Sequence, residues 1–344
     1  MPGPDTAIPA KPVIDPLRWQ PPPERALPDF GPAELSVLAM PGDAPEGITA
    51  GPDGSLWTGL IDGRIVRIDP MADPAVGVQV VGRVQGRPLG LTVARDGRLL
   101  ICTSPGGLVA MDTATGHTDV MVESVAGRRL KFCSNVIELD DGTIYFTEST
   151  AKFSYHDFTA PFFEARGDGA LFRLDPDGTV QTVVQNLYFA NGVTLTADGS
   201  ALVFAETQAR RLSKYWLRGP QAGTFSRLAE HLPAMPDNIS TGSDGLIWVA
   251  MVAARNRLLD ALAARPPILR KLLWRLPDRL QPAIPRQLWI VAFDADSGAA
   301  VTGVQMHHPD FGVATGVIDF QGELWISSIG FPALAHCPRP TNSK

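Results

Sequence analysis

The 344-residue sequence lacks long apolar runs and has few cysteines, and both features narrow the class of protein. No apolar run reaches the roughly 18 residues that a transmembrane helix needs, so none is expected. The first 30 residues lack the apolar core of a secretory signal, and we expect a cytoplasmic location. Cys102, Cys133 and Cys337 show no CxxC spacing, which predicts small buried side chains in a reducing compartment.

Charge is also scarce, because only 19% of the residues are charged and the net charge is −6. An acidic chain lacks the basic face on which general nucleic-acid binding depends. The GxSxG, P-loop, HExxH and GxGxxG motifs are missing, so serine-hydrolase, nucleotide-binding and zincin chemistries lack their local sequence. We therefore expect a small-molecule substrate as partner, with neither nucleic acid nor a membrane.

Turn residues are abundant, with 33 glycines and 31 prolines, and they mark a repeat. Six copies of an apolar run, a turn and a second apolar run occur, most with Asp-Gly in the turn. Their turn glycines, 43 to 77 residues apart, are Gly54, Gly97, Gly142, Gly199, Gly245 and Gly322. This pattern predicts an all-β, six-bladed β-propeller over residues 33–338, after a proline-rich arm at 1–32. A strand within 33–40 would complete the last blade.

Two segments interrupt the repeat. Residues 150–168 lengthen blade three, and residues 253–286 form an insert in blade five with apolar residues at helical spacing. Pro266 and Pro267 divide this second insert into two short helices. Residues 255–286 carry a net charge of +6, so the rest of the chain carries −12. Basic amphipathic helices can lie on anionic membranes. We favour the other interpretation, a lid that buries its leucines on the blades.

The candidate site comes from one position in the repeat. Eight residues before each turn glycine stand Glu46, Leu89, Ser134, Asn191, Asp237 and Ala314. Equivalent strand starts in a propeller point toward one end of the central channel. Three of the six, Glu46, Asn191 and Asp237, carry oxygen ligands for hard cations, although Asn and Asp also cap turns. The pattern favours a bound Ca²⁺, with Mg²⁺, Mn²⁺ or Zn²⁺ as alternatives.

Several ordered motifs also carry a family resemblance, among them VIDPLRWQPPP, LYFANGVTLTADG and LPAMPDNI. The chain resembles the gluconolactonase and strictosidine synthase-like superfamily of six-bladed propellers, which includes the paraoxonases. It looks most like bacterial strictosidine synthase-like proteins and adipocyte plasma membrane-associated proteins. The resemblance implies a divalent cation held by Glu46, Asn191 and Asp237, with a substrate carbonyl placed on it. It also implies that Asp237, or a group near it, activates water.

Two positions depart from the family pattern. Family members usually carry Asn-Asp where this chain has Ser134-Asn135, and we expect these two residues to position the substrate. The catalytic glutamate of plant strictosidine synthases aligns near Thr315, where no carboxylate occurs. The leading prediction is therefore a metal-dependent hydrolase of a lactone or related ester, with Asp237 as base. A C–N bond-forming synthase or lyase, or a non-catalytic binding propeller with a structural cation, are the alternatives.

The blade-three insert offers further candidates for substrate binding. His156 is the one histidine considered as a channel-top base, and Phe153 is a candidate wall of an apolar pocket. The insert also contains other aromatic residues, namely Tyr155, Phe158, Phe162 and Phe163. These rings either line a pocket over the propeller mouth or form a small core of the insert, and the sequence leaves both open.

Overall fold

The computed structural model describes residues 11–277, 280–281 and 285–340. Within this part of the chain, six four-stranded antiparallel sheets surround one axis, which confirms the predicted all-β, six-bladed propeller. All six turn glycines have φ between +67° and +85°, a conformation that favours glycine over residues with a side chain. Residues 1–10 of the arm, and 278–279 and 282–284 of the insert, lie outside the described residues.

The first strand, β1, spans Ser36–Ala39. Blade one contains β2 to β5, which span Ile48–Ala50, Leu56–Gly59, Arg64–Ile68 and Val78–Arg83. Blade two contains β6 to β9, which span Arg87–Val93, Leu99–Ser104, Gly107–Met111 and Thr118–Val122. A small hairpin follows, with β10 and β11 at Ser124–Val125 and Arg128–Arg129. Blade three contains β12 to β15, which span Cys133–Glu138, Ile144–Glu148, Gly169–Leu174 and Val180–Leu187.

Blade four contains β16 to β19, which span Ala190–Leu195, Ala201–Glu206, Arg211–Trp216 and Phe225–Ala229. Blade five contains β20 to β23, which span Ala234–Thr241, Ile247–Ala254, Leu288–Phe293 and Ala300–Met306. Blade six contains β24 to β26, which span Ala314–Phe320, Glu323–Ser328 and Ala333–Pro338. Cys102, Cys133 and Cys337 are buried free thiols, as the sequence predicted.

The ring closes by pairing the two ends of the propeller. Strand β1 is antiparallel to β26, with Ser36 opposite His336 and Ala39 opposite Ala333. Blade six therefore takes its outer strand from the start of the chain, which confirms the prediction for residues 33–40. This pairing satisfies the backbone groups of β26, which would otherwise form an unpaired sheet edge.

The short helices of the two inserts lie on the propeller end where the inner strands begin, whereas the short helix of blade one lies at the opposite end. Helix α1 (Pro74–Gly77) belongs to blade one, and the blade-three insert forms a 3₁₀ turn at Tyr155–Asp157 and helix α2 (Ala160–Glu164). The blade-five insert forms helices α3 (Arg257–Ala263) and α4 (Ile268–Arg275), separated at the two prolines as predicted. None of the described helices is long and apolar enough to cross a membrane.

One buried arginine joins the insert to the rest of the molecule. Arg270 of α4 is 1% exposed and donates to the carbonyl oxygens of Phe163 (2.8 Å), Leu17 and Ala263 (3.5 Å). These acceptors belong to α2, the N-terminal arm and α3. Trp274 adds a hydrogen bond from Nε1 to the Pro12 carbonyl at 2.9 Å. The arm, α2 and the insert are therefore fastened together across a long separation in sequence.

The expectation that the insert buries its leucines on the blades is wrong for most of them. Helix α4 turns Arg270 and Trp274 inward, onto the arm and α2. Residues Ile268, Leu269 and Leu272, on the opposite face of α4, are 39% to 56% exposed. The buried face is occupied by an arginine and a tryptophan because they bind the backbone carbonyls of the neighbouring segments.

We expect Arg270→Met to loosen the insert. Methionine keeps the apolar stem but leaves the carbonyls without their donor, and each buried unsatisfied carbonyl costs about 1 to 3 kcal/mol. Limited proteolysis should cut within the α3–α4 segment faster than in the wild type, and the melting temperature should fall. Arg275→Met, on an exposed arginine of the same helix, is the control and should change neither reading. Equal resistance of both variants to proteolysis would contradict this role for Arg270.

Candidate functional site

The site is built where the six inner strands meet. Five of these strands, β6, β12, β16, β20 and β24, have a register irregularity against their partner near the same level of the channel. Such bulges re-aim side chains and often occur beside functional sites. Near the start of each inner strand, two consecutive residues therefore face different ends of the channel. The first residues together form an upper layer, which faces a cavity, and the second residues form a lower layer, which faces the opposite end.

The upper layer contains most of the residues predicted from the repeat. Its members all border the same cavity, and they are Glu46, Leu89, Ser134, Asn191, Asp237 and Thr315. Blade six departs from the prediction, because Thr315 and not Ala314 borders the cavity. Its hairpin has a two-residue turn between Phe320 and Glu323, whereas five residues join Thr241 to Ile247 in blade five. Because of the shorter turn, the residue that borders the cavity stands one position closer to the turn glycine than in the other blades.

The lower layer is crowded and almost without side chains. It consists of Gly47, Gly90, Asn135, Gly192, Asn238 and Gly316, and all of these except Gly192 border the smaller cavity at the other end. A Cβ atom at Gly192 would lie 2.4 Å from the backbone nitrogen of Ile239, so no larger residue fits. Asn135 and Asn238 span this layer, with Nδ2 of Asn135 donating to Oδ1 of Asn238 at 2.6 Å. Asn135 thus lies in the lower layer, away from the upper cavity where substrate was expected.

Hydrogen bonds connect the polar residues of the two layers. Asn191 donates from Nδ2 to Oδ1 of Asp237 at 2.5 Å and to Oγ1 of Thr207 at 3.2 Å. Its Oδ1 accepts from Oγ of Ser134 at 3.0 Å. Glu46 accepts from Nδ2 of Asn238 at 3.1 Å. The three predicted ligands are therefore brought together, and each is oriented by an amide or hydroxyl group.

The two carboxyl groups share an environment that disfavours charge. Burial raises the pKa of Glu46 from its ordinary 4.5 to about 7, although the charge of Arg87 and the hydrogen bond from Asn238 oppose this. Burial also raises the pKa of Asp237 well above its usual range, and the nearby charge of Glu46 raises it further. Without a compensating cation, the pair therefore retains protons that exposed carboxyl groups would release.

An apolar cavity of about 160 Å³ stands above these carboxyl groups. Phe132 and Phe189 form its wall from blades three and four, and their rings meet edge to face with centroids 5.3 Å apart. Tyr155, Phe158 and Phe162 of the blade-three insert border it as well. The insert aromatics thus serve both roles that the sequence left open, because they pack on one another and on Phe132 and Phe189 while facing the cavity.

Two predicted substrate contacts lie elsewhere. Phe153 is buried, but it packs with Ile14, Phe163 and Trp274 beneath the arm and does not border the cavity. His156 has a side chain that is 66% exposed and faces Asp157, with 3.2 Å between Nδ1 and Oδ1. The local turn at this point directs neighbouring residues to different sides, and it sends Tyr155 to the cavity.

The sequence analysis missed several functional positions, although the repeat held a signal for them. Asn238 stands one residue after the position that was counted, in the lower layer. Phe132, Phe189 and Met235 stand two residues before it, and all three border the cavity. Considering also the residue one position later and the residue two positions earlier in each repeat would have identified the floor and part of the wall of the cavity.

The residues present fit a hard divalent cation. Oε2 of Glu46 is buried and finds no hydrogen-bond partner among the described residues. A buried carboxylate oxygen without a partner is costly unless a proton or a cation neutralises it. In the described part of the chain, no group of three His, Cys, Asp or Glu side chains is arranged to hold a metal ion, so the donor set is two carboxylates completed by Asn191 and hydroxyl groups. Oxygen donors of this kind suit Ca²⁺.

Comparisons with known proteins identify the family. The family model "Strictosidine synthase" matches residues 135–220, and "Strictosidine synthase-like, N-terminal" matches residues 33–68. A strictosidine synthase-like protein of Arabidopsis thaliana, number 6 of its series, is 32% identical over 295 residues, which cover 83% of this chain and 78% of the relative. The chain belongs to the strictosidine synthase-like family.

Solved structures share the fold at much lower sequence identity. A gluconolactonase from Xanthomonas campestris superposes with a TM-score of 0.64 at 20% identity, covering 90% of each chain. The calcium-binding protein regucalcin from Agrobacterium tumefaciens also gives 0.64, at 16% identity, covering 92% of this chain and 98% of the other. At this identity, these similarities show a shared fold alone.

The raised pKa of Glu46 predicts how stability depends on pH when chelator is present. The native state keeps a proton that the unfolded chain releases near its ordinary pKa of 4.5. The stabilisation is complete below that value and is lost as pH rises toward 7, by about 3 kcal/mol from Glu46. Denaturant titrations from about pH 5 to pH 8 should show the free energy of unfolding decreasing.

Glu46→Gln is the matched variant for this measurement, because its amide oxygen can still accept the hydrogen bond from Asn238. It should reduce the slope over this pH range by the contribution of Glu46, and buried Asp237 supplies what remains. A wild type whose stability rises with pH over the same interval, or a variant with an unchanged slope, would contradict the raised pKa of Glu46.

Proposed function

We propose that the protein is a metal-dependent hydrolase of a lactone or related ester, with Asp237 as the general base. One observation carries the proposal: two buried carboxyl groups meet at the floor of an apolar cavity, and one of them has an oxygen without a partner. Such a site combines a place for a cation with a water-poor space for an organic substrate. The gluconolactonase fold similarity supports this class of reaction by analogy.

Glu46, Asn191 and Asp237 would hold the cation, and Ca²⁺ is the ion we propose. Mg²⁺ and Mn²⁺ also accept oxygen donors, whereas Zn²⁺ usually takes histidine or cysteine ligands, and neither residue type borders the described cavity. The proposal agrees with the calcium binding of regucalcin, which shares the fold. A bound divalent cation supplies Lewis acidity, which polarises a carbonyl group and lowers the pKa of water.

The chain's own residues would orient the reactants and move the proton. Asp237 would accept a proton from the attacking water, and burial, by raising its pKa above the usual range, makes it a stronger base than an exposed carboxylate. Asn191 fixes one oxygen of Asp237 by its short hydrogen bond. Ser134, which donates to Asn191, keeps the amide in that orientation and borders the cavity.

The aromatic wall would select the substrate and exclude water. Phe132, Phe189 and Phe162 provide apolar faces for a ring or an alkyl chain. Excluding water from the cavity strengthens the electrostatic interactions at its floor. We therefore expect better turnover of lactones and esters with apolar substituents than of small polar ones.

The family model for strictosidine synthase favours a second candidate, a synthase or lyase that forms or breaks a C–N bond. Thr315 occupies the position near which plant strictosidine synthases place their glutamate. Its Oγ1 donates to the Glu46 carbonyl at 2.8 Å, and a threonine hydroxyl is not a base at neutral pH. Incubation with tryptamine and an aldehyde should therefore give no enzyme-dependent condensation product, and a stereospecific product would establish this candidate instead.

The direct test is a screen of lactones, aryl esters and phosphotriesters on metal-stripped protein with and without added Ca²⁺. We expect Ca²⁺-dependent hydrolysis, and Asp237→Asn should reduce kcat by about 10² or more, as loss of a general base does. Asp177→Asn, the same change in an exposed turn of blade three, is the control and should behave as the wild type.

Two results would contradict the proposed function. Hydrolysis that survives Asp237→Asn would place the chemistry on other residues. Binding of Ca²⁺ without turnover of any substrate class would favour the non-catalytic propeller with a structural cation.

A further inference from the structure

The insert presents an apolar surface to solvent. On helix α4, the inward face carries Arg270 and Trp274, which are 1% and 5% exposed. The outward face carries Ile268, Leu269 and Leu272, spaced so that they share one side of the helix. Since helices of globular proteins usually turn their apolar stripe toward the core, this orientation is the reverse of the normal one.

Exposed apolar side chains are concentrated in the insert and the arm. Fifteen large apolar side chains of the described residues are exposed, and eight of them belong to the insert and the arm. The other seven belong to the blades. We call the eight together the lid face; its members are Val13, Leu17, Leu258, Ile268, Leu269, Leu272, Leu276 and Leu280.

The charges around the lid face are mostly of one sign. Arg257, Arg265 and Arg275 are exposed on or beside the two helices. The acidic residue within α3, Asp260, accepts from Arg210 at 2.9 Å and from Arg255 at 2.8 Å, so its charge is already neutralised.

Another basic residue, Lys271, lies on the same helix as Arg275. Its side chain is 40% exposed, and its Nζ is 3.5 Å from Oδ1 of Asp15 in the arm. The insert from 255 to 286 carries +6 on a chain whose net charge is −6.

From these observations we propose that the lid face docks on the surface of a membrane that contains anionic lipids. Amphipathic helices bind such surfaces by burying apolar side chains at the level of the headgroups while basic residues contact lipid phosphates. Leu269 and Leu272 would enter the interface, and Arg265 and Arg275 would contact the headgroups. The rest of the acidic molecule would face away from the negatively charged surface.

A second copy of this chain fits the lid face less well. In a twofold dimer the same surface meets itself, so each arginine cluster would lie against its own copy. Like charges opposed across an interface are unfavourable, whereas an anionic lipid surface compensates them. The charge pattern therefore favours the membrane as the occupant.

Docking in this orientation would place the cavity near the lipid. Asn256 and Leu259, at the start of α3, border the cavity, while Leu258 between them in the chain belongs to the lid face. One short helix therefore separates the cavity from the docking surface. The docking proposal does not depend on the proposed hydrolysis, because its residues other than this helix take no part in the cavity.

The test is co-sedimentation of the full chain with vesicles of phosphatidylcholine alone and of equimolar phosphatidylcholine and phosphatidylglycerol. The wild type should sediment with the anionic vesicles, release as sodium chloride is added, and stay in solution with phosphatidylcholine alone. Leu272→Glu should lower the partition coefficient about tenfold or more. Val120→Glu, at an exposed apolar side chain of blade two, should bind as the wild type does.

Thermal unfolding of both variants would show that each remains folded. A double variant, Arg265→Ser with Arg275→Ser, should bind more weakly and with a smaller salt dependence. The proposal is overturned if the wild type ignores anionic vesicles, if it binds both vesicle types equally, or if Leu272→Glu binds unchanged. Sedimentation velocity that shows a dimer dissociated by Leu272→Glu, without vesicle binding, would assign the lid face to a second copy.

Discussion

The structure depends on a constraint at the propeller axis, where six inner strands approach so closely that little besides glycine fits in the lower layer. The layer above it has room for side chains, and two of the buried side chains there are Glu46 and Asp237. Their carboxyl groups are thus withdrawn from water together, which raises the pKa of both. A proton or a cation must compensate them, and this requirement makes the channel end a candidate site.

The remaining parts of the molecule cover these two carboxyl groups. Aromatic rings from blades three and four and from the blade-three insert close the cavity, and α3 covers it further. Arg270 fastens the insert to the arm and to α2 through three backbone carbonyls. The arm continues into β1, which closes the ring against β26. The arm therefore connects the insert beside the cavity to the strand pair that closes the ring.

The sequence was most informative where the repeat imposes equivalence. Glu46, Asn191 and Asp237 could be predicted because strand starts at one offset must converge. Local geometry was harder to infer, because the 3₁₀ turn decides that Tyr155 and not Phe153 faces the cavity. The outward face of α4 was missed for a related reason. Helical spacing predicts an apolar stripe but does not say that Arg270, by binding buried carbonyls, takes the inner side.

The central claim is that the two buried carboxyl groups hold protons until a cation replaces them. Isothermal titration of Ca²⁺ into metal-free protein near neutral pH, in buffers of different ionisation enthalpy, measures binding and proton release together. The account predicts binding that releases about one proton, between the limits of none and two, and that is lost in Asp237→Asn. Absence of binding, or binding whose heat is independent of the buffer, would contradict it.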